Sequence, residues 1–397
     1  MFQTLKPLPT DPILGLMAAF KNDPNPKKID LGVGVYKDEA GNTPVLKCVK
    51  KAEAFRLANE TSKSYIGLAG DEGYNQKIKE LLFGAHEIIA QNRARTTQTP
   101  GGTGALRVGA EFLKRCNNAA TIWVSAPTWA NHIALFEASG LNVKEYPYYD
   151  YDKRGLLFDD MMSALSQVKS GDIVLLHACC HNPSGMDLTQ EQWHKVADLA
   201  VENGFTPMID IAYQGFGSGL DDDAAGLRIM ADKVDEMVIC SSCSKNFGLY
   251  RERLGACTVV GKDSASADIA YSVVLSVVRG IYSMPPHHGA AIVNTILHSV
   301  ELRAMWEAEL AQKRDRINGL RKLIVEKLGA AGISQDFSFI QRQHGMFSFF
   351  GIAGEQIEQL KNDYGIYMVG SSRMNVAGIS NSNIDYFAAS VATVLKG

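Results

Sequence analysis

Residues 236–255 read EMVICSSCSKNFGLYRERLG. An apolar run, Met237 to Cys240, gives way to serines and then to a single lysine, Lys245, followed by Asn246 and Gly248. A short apolar run bounded by small polar residues reads as a buried strand. Three similar runs precede it: TIWVS (121–125), DIVLLHAC (172–179) and TPMIDIA (206–212). Longer segments with helical periodicity lie between them, among them VLKCVKKAEAFRLANE and GYNQKIKELLFGAHEIIA. That alternation predicts βαβ units and a mainly parallel sheet. In open α/β sheets, ligands bind outside the carboxyl ends of the strands. Lys245 stands at such an end, where a desolvated amine has a lowered pKa and acts as nucleophile or base. The plainer reading is a lysine that snorkels to solvent.

Composition narrows the function classes. The chain has 397 residues, 46% hydrophobic and 21% charged, with a net charge of −3. It lacks the excess of Lys and Arg that neutralises phosphates, so nucleic acid is not expected as a partner. The N-terminal residues show no basic stretch followed by an apolar one, and no apolar run approaches the ~20 residues of a membrane span. Seven cysteines without a signal segment suit free thiols in a reducing cytoplasm.

Residues 1–12 carry Pro7, Pro9 and Pro12 and read as an extended arm. DPILGLMAAF (11–20) reads as a short helix, and KIDLGVGVYKDEAG as a strand entering a turn. Residues 304–332 read as one long amphipathic helix bridging two domains, with a boundary near 312. Beyond it, FSFIQRQHGMFSFFGI and YGIYMVG alternate like strands of an antiparallel sheet.

Three further clusters carry chemistry. In TPGGTGALRVGAEFLKR two glycines and a threonine open an amphipathic helix. Such a start suits a phosphate, through free N–H groups and the helix dipole, or is a plain glycine turn. In HACCHNPSG (177–185) two His and two Cys invite a metal. Cys179 and Cys180, adjacent on a strand, point to opposite faces, so no metal is expected and Asn182 is the ligand-facing group. In IDIAYQGFGSG, Asp210 interrupts an apolar strand and needs a cationic or proton-donating partner. The Cys240-x-x-Cys243 pair reads as incidental, with Cys240 in the strand and Cys243 between two serines. Together the lysine, the carboxylate and the phosphate-type helix start are the three anchors that pyridoxal phosphate needs.

The stretches LGVGVYKDEAGNTPVL, SYIGLAG, TPGGTGALRVGAEFL, HACCHNPSG, DIAYQGFGSGL, SSCSKNFGLYRERLGA, YSMPPHHGA and GMFSFFGI…SSRMNVAGI run in order over nearly the whole chain. In them the sequence closely resembles the fold-type I, class I aminotransferases of the aspartate and aromatic amino acid subgroup. The resemblance implies an α/β fold: a large domain with a mainly parallel seven-stranded sheet sandwiched by helices, and a smaller α+β domain from both chain ends. It implies an arm over 1–12 lying on the partner subunit, a small domain of 13–43 and 313–397 that closes over substrate, and a large cofactor-binding domain of 44–312.

The same resemblance implies the site. Lys245 would form the Schiff base with pyridoxal 5′-phosphate and shuttle the proton. Asp210 would pair with the ring nitrogen, Asn182 and Tyr213 with the ring's 3-oxygen, and Trp129 would stack on the ring. Gly101, Gly102, Thr103, Ser242, Ser244 and Arg253 would hold the phosphate, joined by Tyr65 from the neighbouring subunit. Arg373 would take the substrate α-carboxylate and Gly34 would close over the substrate. Arg279 of the other subunit would take a side-chain carboxylate, so the active form would be a homodimer. The implied reaction is ping-pong amino transfer from aspartate or an aromatic amino acid to 2-oxoglutarate.

Val35, Lys37, Thr43 and Thr103 match the aspartate-preferring pattern. Ser64 and Met284 stand where that pattern has asparagine, which favours acceptance of aromatic side chains as well. The alternatives are a strictly aspartate-specific enzyme and another pyridoxal phosphate enzyme such as a β-lyase.

Overall fold

The computed structural model describes residues 2–7 and 12–396. The chain divides into two compact units: a larger one of residues 44–316 and 343–345, and a smaller one of 1–43, 317–342 and 346–397. Pro9 of the expected arm lies outside the described residues, while Phe2–Thr4 form an exposed 3-10 turn.

The larger unit is built on a seven-stranded sheet whose strands we label β1 to β7 in chain order. They are Ala94–Pro100, Thr121–Ala126, Asn142–Pro147, Ile173–His177, Thr206–Ile211, Met237–Ser242 and Leu254–Val260. Their spatial order is β1-β7-β6-β5-β4-β2-β3. β7 runs antiparallel to both its neighbours, and the remaining pairs are parallel. All six residues of β6 and all seven of β7 are buried, as strands covered on both faces require. The helix Gly101–Cys116 lays Ala105, Leu106, Val108 and Phe112 into a core shared with Val238 and Val259.

β1 does not announce itself as a strand, because ARTTQTP is largely polar. Several of its polar groups are satisfied inside the sheet and beside it: Thr96 and Thr258 share a hydrogen bond of 2.8 Å, Thr99 Oγ1 donates to the Gly101 carbonyl at 3.0 Å, and Gln98 Nε2 donates to the Pro286 carbonyl at 2.7 Å. The segment 73–90 is two helices instead of one. Glu72–Phe83 ends at Gly84, whose φ of +58° suits glycine, before Glu87–Ala90 begins. The helix Ser264–Ile281, 18 residues with Asp268 and Arg279 within it, is long and apolar enough to cross a membrane by length and composition only. Ala267, Val274, Val277 and Val278 turn inward to the core, and much of its other face is uncovered.

In the smaller unit the long helix, Val300–Ala330 overall, contributes its last part. The antiparallel sheet expected here is two separate pairs. Phe347–Phe349 and Arg373–Asn375 are antiparallel, but Ile366–Tyr367 pairs parallel with Ile29–Asp30. The FSFIQR stretch coils into the 3-10 helix Ser338–Arg342. Buried Arg321 satisfies the ends of these elements, donating to the Ile340 and Phe347 carbonyls and to Ser348 Oγ.

Candidate active site

The carboxyl edge of the large sheet gathers the polar residues that interrupt its apolar strands. Asp210, near the end of β5, lies in register between His177 of β4 and Cys240 of β6. His132 Nε2, from the helix Asn131–Ala138, is 3.2 Å from Asp210 Oδ2. Thr128 Oγ1 is 2.8 Å from His132 Nδ1 and 3.2 Å from His177 Nε2. With neutral rings one proton arrangement satisfies all three contacts. His177 donates to Thr128, Thr128 donates to His132, and His132 donates to the carboxylate. Burial pushes the His177 imidazole down to about 3, aided by the neighbouring His132, so it stays neutral at physiological pH. Burial pushes Asp210 upward. The His132 hydrogen bond, helped by the electrostatic contributions of His132 and Lys245, outweighs it, so the carboxyl titrates below its usual range. Asp210 is therefore a fixed anion facing the sheet edge.

Lys245 leaves the end of β6 on a turn that the long helix braces. Trp306 Nε1 donates to the Asn246 carbonyl at 2.9 Å and its ring stacks on Phe247 at 4.4 Å. Lys245 Nζ lies 4.8 Å from the Tyr213 ring centre. Burial lowers the Lys245 amine most, Asp210 raises it and Arg253 lowers it again, leaving it at about 8. An amine in this range is available as a neutral nucleophile far more often than an exposed lysine.

Beside it, the start of helix Gly101–Cys116 meets the β6–β7 connection. Gly101 has φ +75°, and a Cβ there would collide with the Arg253 guanidinium. Ser242 Oγ accepts the Ser244 amide at 3.2 Å, and Ser244 Oγ is 3.5 Å from Arg253 Nη1. Gly101, Gly102, Ser242, Ser244 and Arg253 are thus brought together around free helix N–H groups, a combination suited to a phosphate. Thr103, one residue further, is exposed. Trp129 is half-buried, edge-on to His132 at 5.2 Å.

The turn 178–185 carries Asn182. β4 ends at His177, so Cys179 and Cys180 are not on a strand, and Cys180 adopts a φ of +52°. The sulfurs of both therefore lie near the Asp223 carboxylate, contrary to the opposite-face expectation. That carboxylate already accepts the amides of Gly215, Gly217 and Ser218 at 2.8 to 2.9 Å and acts as a loop cap. Asp187 holds the turn by accepting the Cys180 and His181 amides at 2.7 and 2.8 Å. Asn182 Oδ1 is buried and has no hydrogen-bond partner among the described residues. An unmet buried carboxamide costs about 1–3 kcal/mol, so it points to a polar ligand. Anion cradle, fixed carboxylate, weakly basic amine and unmet carboxamide fit a phosphorylated, cationic, carbonyl-bearing ring compound.

Other expected residues lie on other elements of the chain. In the smaller unit, Arg373 is buried, donates to the Gly32 carbonyl at 2.9 Å and lies over the Phe347 ring at 4.3 Å. Asn375 Nδ2 grips the Val33 and Val35 carbonyls at 2.6 and 2.7 Å, fixing the backbone around Gly34. In the larger unit, Tyr65 is 92% exposed and Arg279 is exposed, bonded to Ser283 Oγ. Sequence reasoning missed His132 and Thr128. A single histidine in the helical pattern NHIALFEA carries no mark of its role, although the unpaired Asp210 required some such partner.

The model for aminotransferase class I and II matches residues 26–391. The chain is 50% identical over 396 residues to the aspartate aminotransferase of Escherichia coli, covering 100% of both. It is 44% identical over 394 residues to the aromatic-amino-acid aminotransferase of Pseudomonas aeruginosa, covering 99% of this chain and 98% of that one. A crystal structure of the aromatic-amino-acid aminotransferase of Burkholderia pseudomallei, covalently bound to pyridoxal phosphate, superposes with a TM-score of 0.98. It is 44% identical and covers 100% of this chain and 99% of that one.

Proposed function

Because the chain belongs to the class I and II aminotransferases, we propose that it moves the α-amino group of aspartate and of phenylalanine, tyrosine or tryptophan to 2-oxoglutarate. Its cofactor is pyridoxal 5′-phosphate, used in two alternating half-reactions. The observation that carries this reading is Lys245: an amine lowered to about 8, over Tyr213, at the sheet edge it shares with an anionic Asp210.

Bound there, the cofactor supplies an aldehyde that takes up the amino group and a cationic ring that withdraws electrons from the substrate Cα. The chain's residues do the rest. Asp210, held by His132, keeps a negative charge opposite the ring N–H. Gly101, Gly102, Thr103, Ser242, Ser244 and Arg253 bind the phosphate. Asn182 and Tyr213 would hold the ring's oxygen, and Trp129 would supply an aromatic contact to the ring. Lys245 Nζ, neutral above about pH 8, would take the proton from the substrate Cα, hold it as an ammonium and release it again within the site. Arg373 binds the α-carboxylate through its planar fork, with Gly34 backing the substrate.

A homodimer is part of the proposal. Tyr65 and Arg279 point out from the protomer, and the apolar helix Ser264–Ile281 has an uncovered face with Ile269 69% exposed. These features support an assembly in which each protomer lends Tyr65 to its partner's phosphate site and Arg279 to a substrate side-chain carboxylate. All seven cysteines are free, which supports a cytoplasmic setting.

The test is steady-state kcat/KM for aspartate and phenylalanine, with 2-oxoglutarate as acceptor and glutamate formation measured. Both donors are expected to give stoichiometric glutamate at rates within about a hundredfold, under 3 kcal/mol of discrimination. Aromatic turnover thousands of times below aspartate would reduce the function to aspartate alone. Product formation without glutamate would replace transfer by a lyase reaction.

A further inference from the structure

Tyr65 sits in a segment, 61–67, that belongs to no helix or strand. Inside it, Ser62 and Ser64 bond to one another and Lys63 pairs with Glu60. Among the described hydrogen bonds, one ties the segment to a distant part of the chain. The Ile66 amide donates to Met284 Sδ at 3.2 Å.

The other end of that bond is firmly based. Met284 follows Ser283, whose φ is +66°, and its amide donates to the Tyr282 carbonyl at 2.7 Å, forming a strained three-residue turn. Ser283 and Tyr282 amides both return to the Val278 carbonyl at the helix end. Tyr282 Oη donates to the Gln98 carbonyl, and Gln98 Nε2 to the Pro286 carbonyl, so the turn is fastened to β1. His287 Nε2 lies 3.0 Å from Asp71 Oδ2 on the far side of the Tyr65 segment. A rigid turn thus aims one long, flexible side chain at the amide next to Tyr65. A thioether is a weak acceptor, but its reach suits an irregular gap.

We propose that Met284 is a positioning residue: its sulfur, by accepting the Ile66 amide, orders the 61–67 segment and sets Tyr65 for its grip on the cofactor phosphate. This rests on the phosphate role given to Tyr65 above. This effect is read in cofactor retention, apart from the influence on aromatic side chains that its position in the sequence implies.

Met284→Leu keeps the volume and removes the acceptor, whereas Met284→Gln restores an acceptor at similar reach. In the cofactor-free full-length protein, hydrogen exchange of the Ile66 amide is expected to quicken about fivefold in Met284→Leu, the worth of one ordinary hydrogen bond, and to return toward the parent in Met284→Gln. In the holoenzyme, pyridoxal phosphate should dissociate several-fold faster from Met284→Leu, with kcat for aspartate at saturating cofactor within about twofold of the parent. Unchanged exchange at Ile66 overturns the proposal. Faster exchange with unchanged cofactor release also overturns it, provided Tyr65→Phe releases cofactor faster. If Tyr65→Phe holds cofactor like the parent, the role given to Tyr65 is what fails, and the Ile66 exchange alone decides whether the sulfur orders the segment.

Discussion

At the scale of the residue, the account turns on how a sheet edge keeps two ionisable groups in unusual states. Lys245 is lowered chiefly by burial, while Asp210 remains anionic despite burial because His132 donates to it. The sequence revealed both groups for one reason: a charge set against an apolar run is expensive unless it has a use. It did not reveal the partner, because His132 has no local anomaly and meets Asp210 only through tertiary contact, 78 positions away. His132→Asn should let the burial cost on Asp210 reassert itself. A rise of one pKa unit corresponds to about 1.4 kcal/mol, so turnover should fall on the order of tenfold at neutral pH. The acid limb of the kcat profile should move to higher pH, which loss of folded protein alone would not produce. An unmoved limb contradicts the role given to the His132–Asp210 pair.

At the scale of the element, the long helix Val300–Ala330 braces the turn that carries Lys245 and carries a buried cation. Trp306 supports Asn246 and Phe247, and Glu309 accepts the Lys47 and Cys48 amides at 2.7 and 3.1 Å, capping the helix Lys47–Asn59. Lys313 follows one turn later, 6% exposed, beside Glu309 and Cys48. Burial lowers its amine to about 8, against an ordinary lysine value of 10.5, with Glu309 opposing. Between those two values the unfolded chain holds more protons than the folded one, so stability rises with pH there. Below about 8 both states are protonated and the full cost of burying the charge is present. Lys313→Met should raise the neutral-pH stability of the cofactor-free protein by at most on the order of 3 kcal/mol. It should also flatten the rise between pH 8 and 10. Denaturant melts at pH 7, 8.5 and 10 read both; equal slopes for the two proteins would contradict the assignment. The helix itself was visible in the sequence from its periodicity. Its ability to bury a lysine was not, since KRDR at 313–316 reads as a solvated face. β1 escaped for the converse reason, Thr96, Thr99 and Gln98 being polar residues satisfied within the fold.

At the scale of the whole molecule, the order of motifs along the chain conveyed more than any one of them. The strand ends that bring Asn182, Asp210 and Lys245 together are adjacent in space because parallel crossovers stack β4, β5 and β6 side by side. Tyr65 and Arg279 are exposed on the protomer. The turn carrying Cys179 and Cys180 shows the limit of the strand rule. A single left-handed residue brought two neighbouring thiols to one side. The central claim, that this assembly performs amino transfer through Lys245, is tested most directly by an absorption spectrum. Reconstituted with pyridoxal phosphate, the protein should show a visible band from the lysine-bound cofactor, absent in Lys245→Ala. Adding aspartate or phenylalanine without an acceptor should convert that band to the near-ultraviolet band of the aminated cofactor, and 2-oxoglutarate should restore it. A visible band that persists with both amino acids, or a Lys245→Ala variant that still interconverts the two forms at the parental rate, would contradict the account.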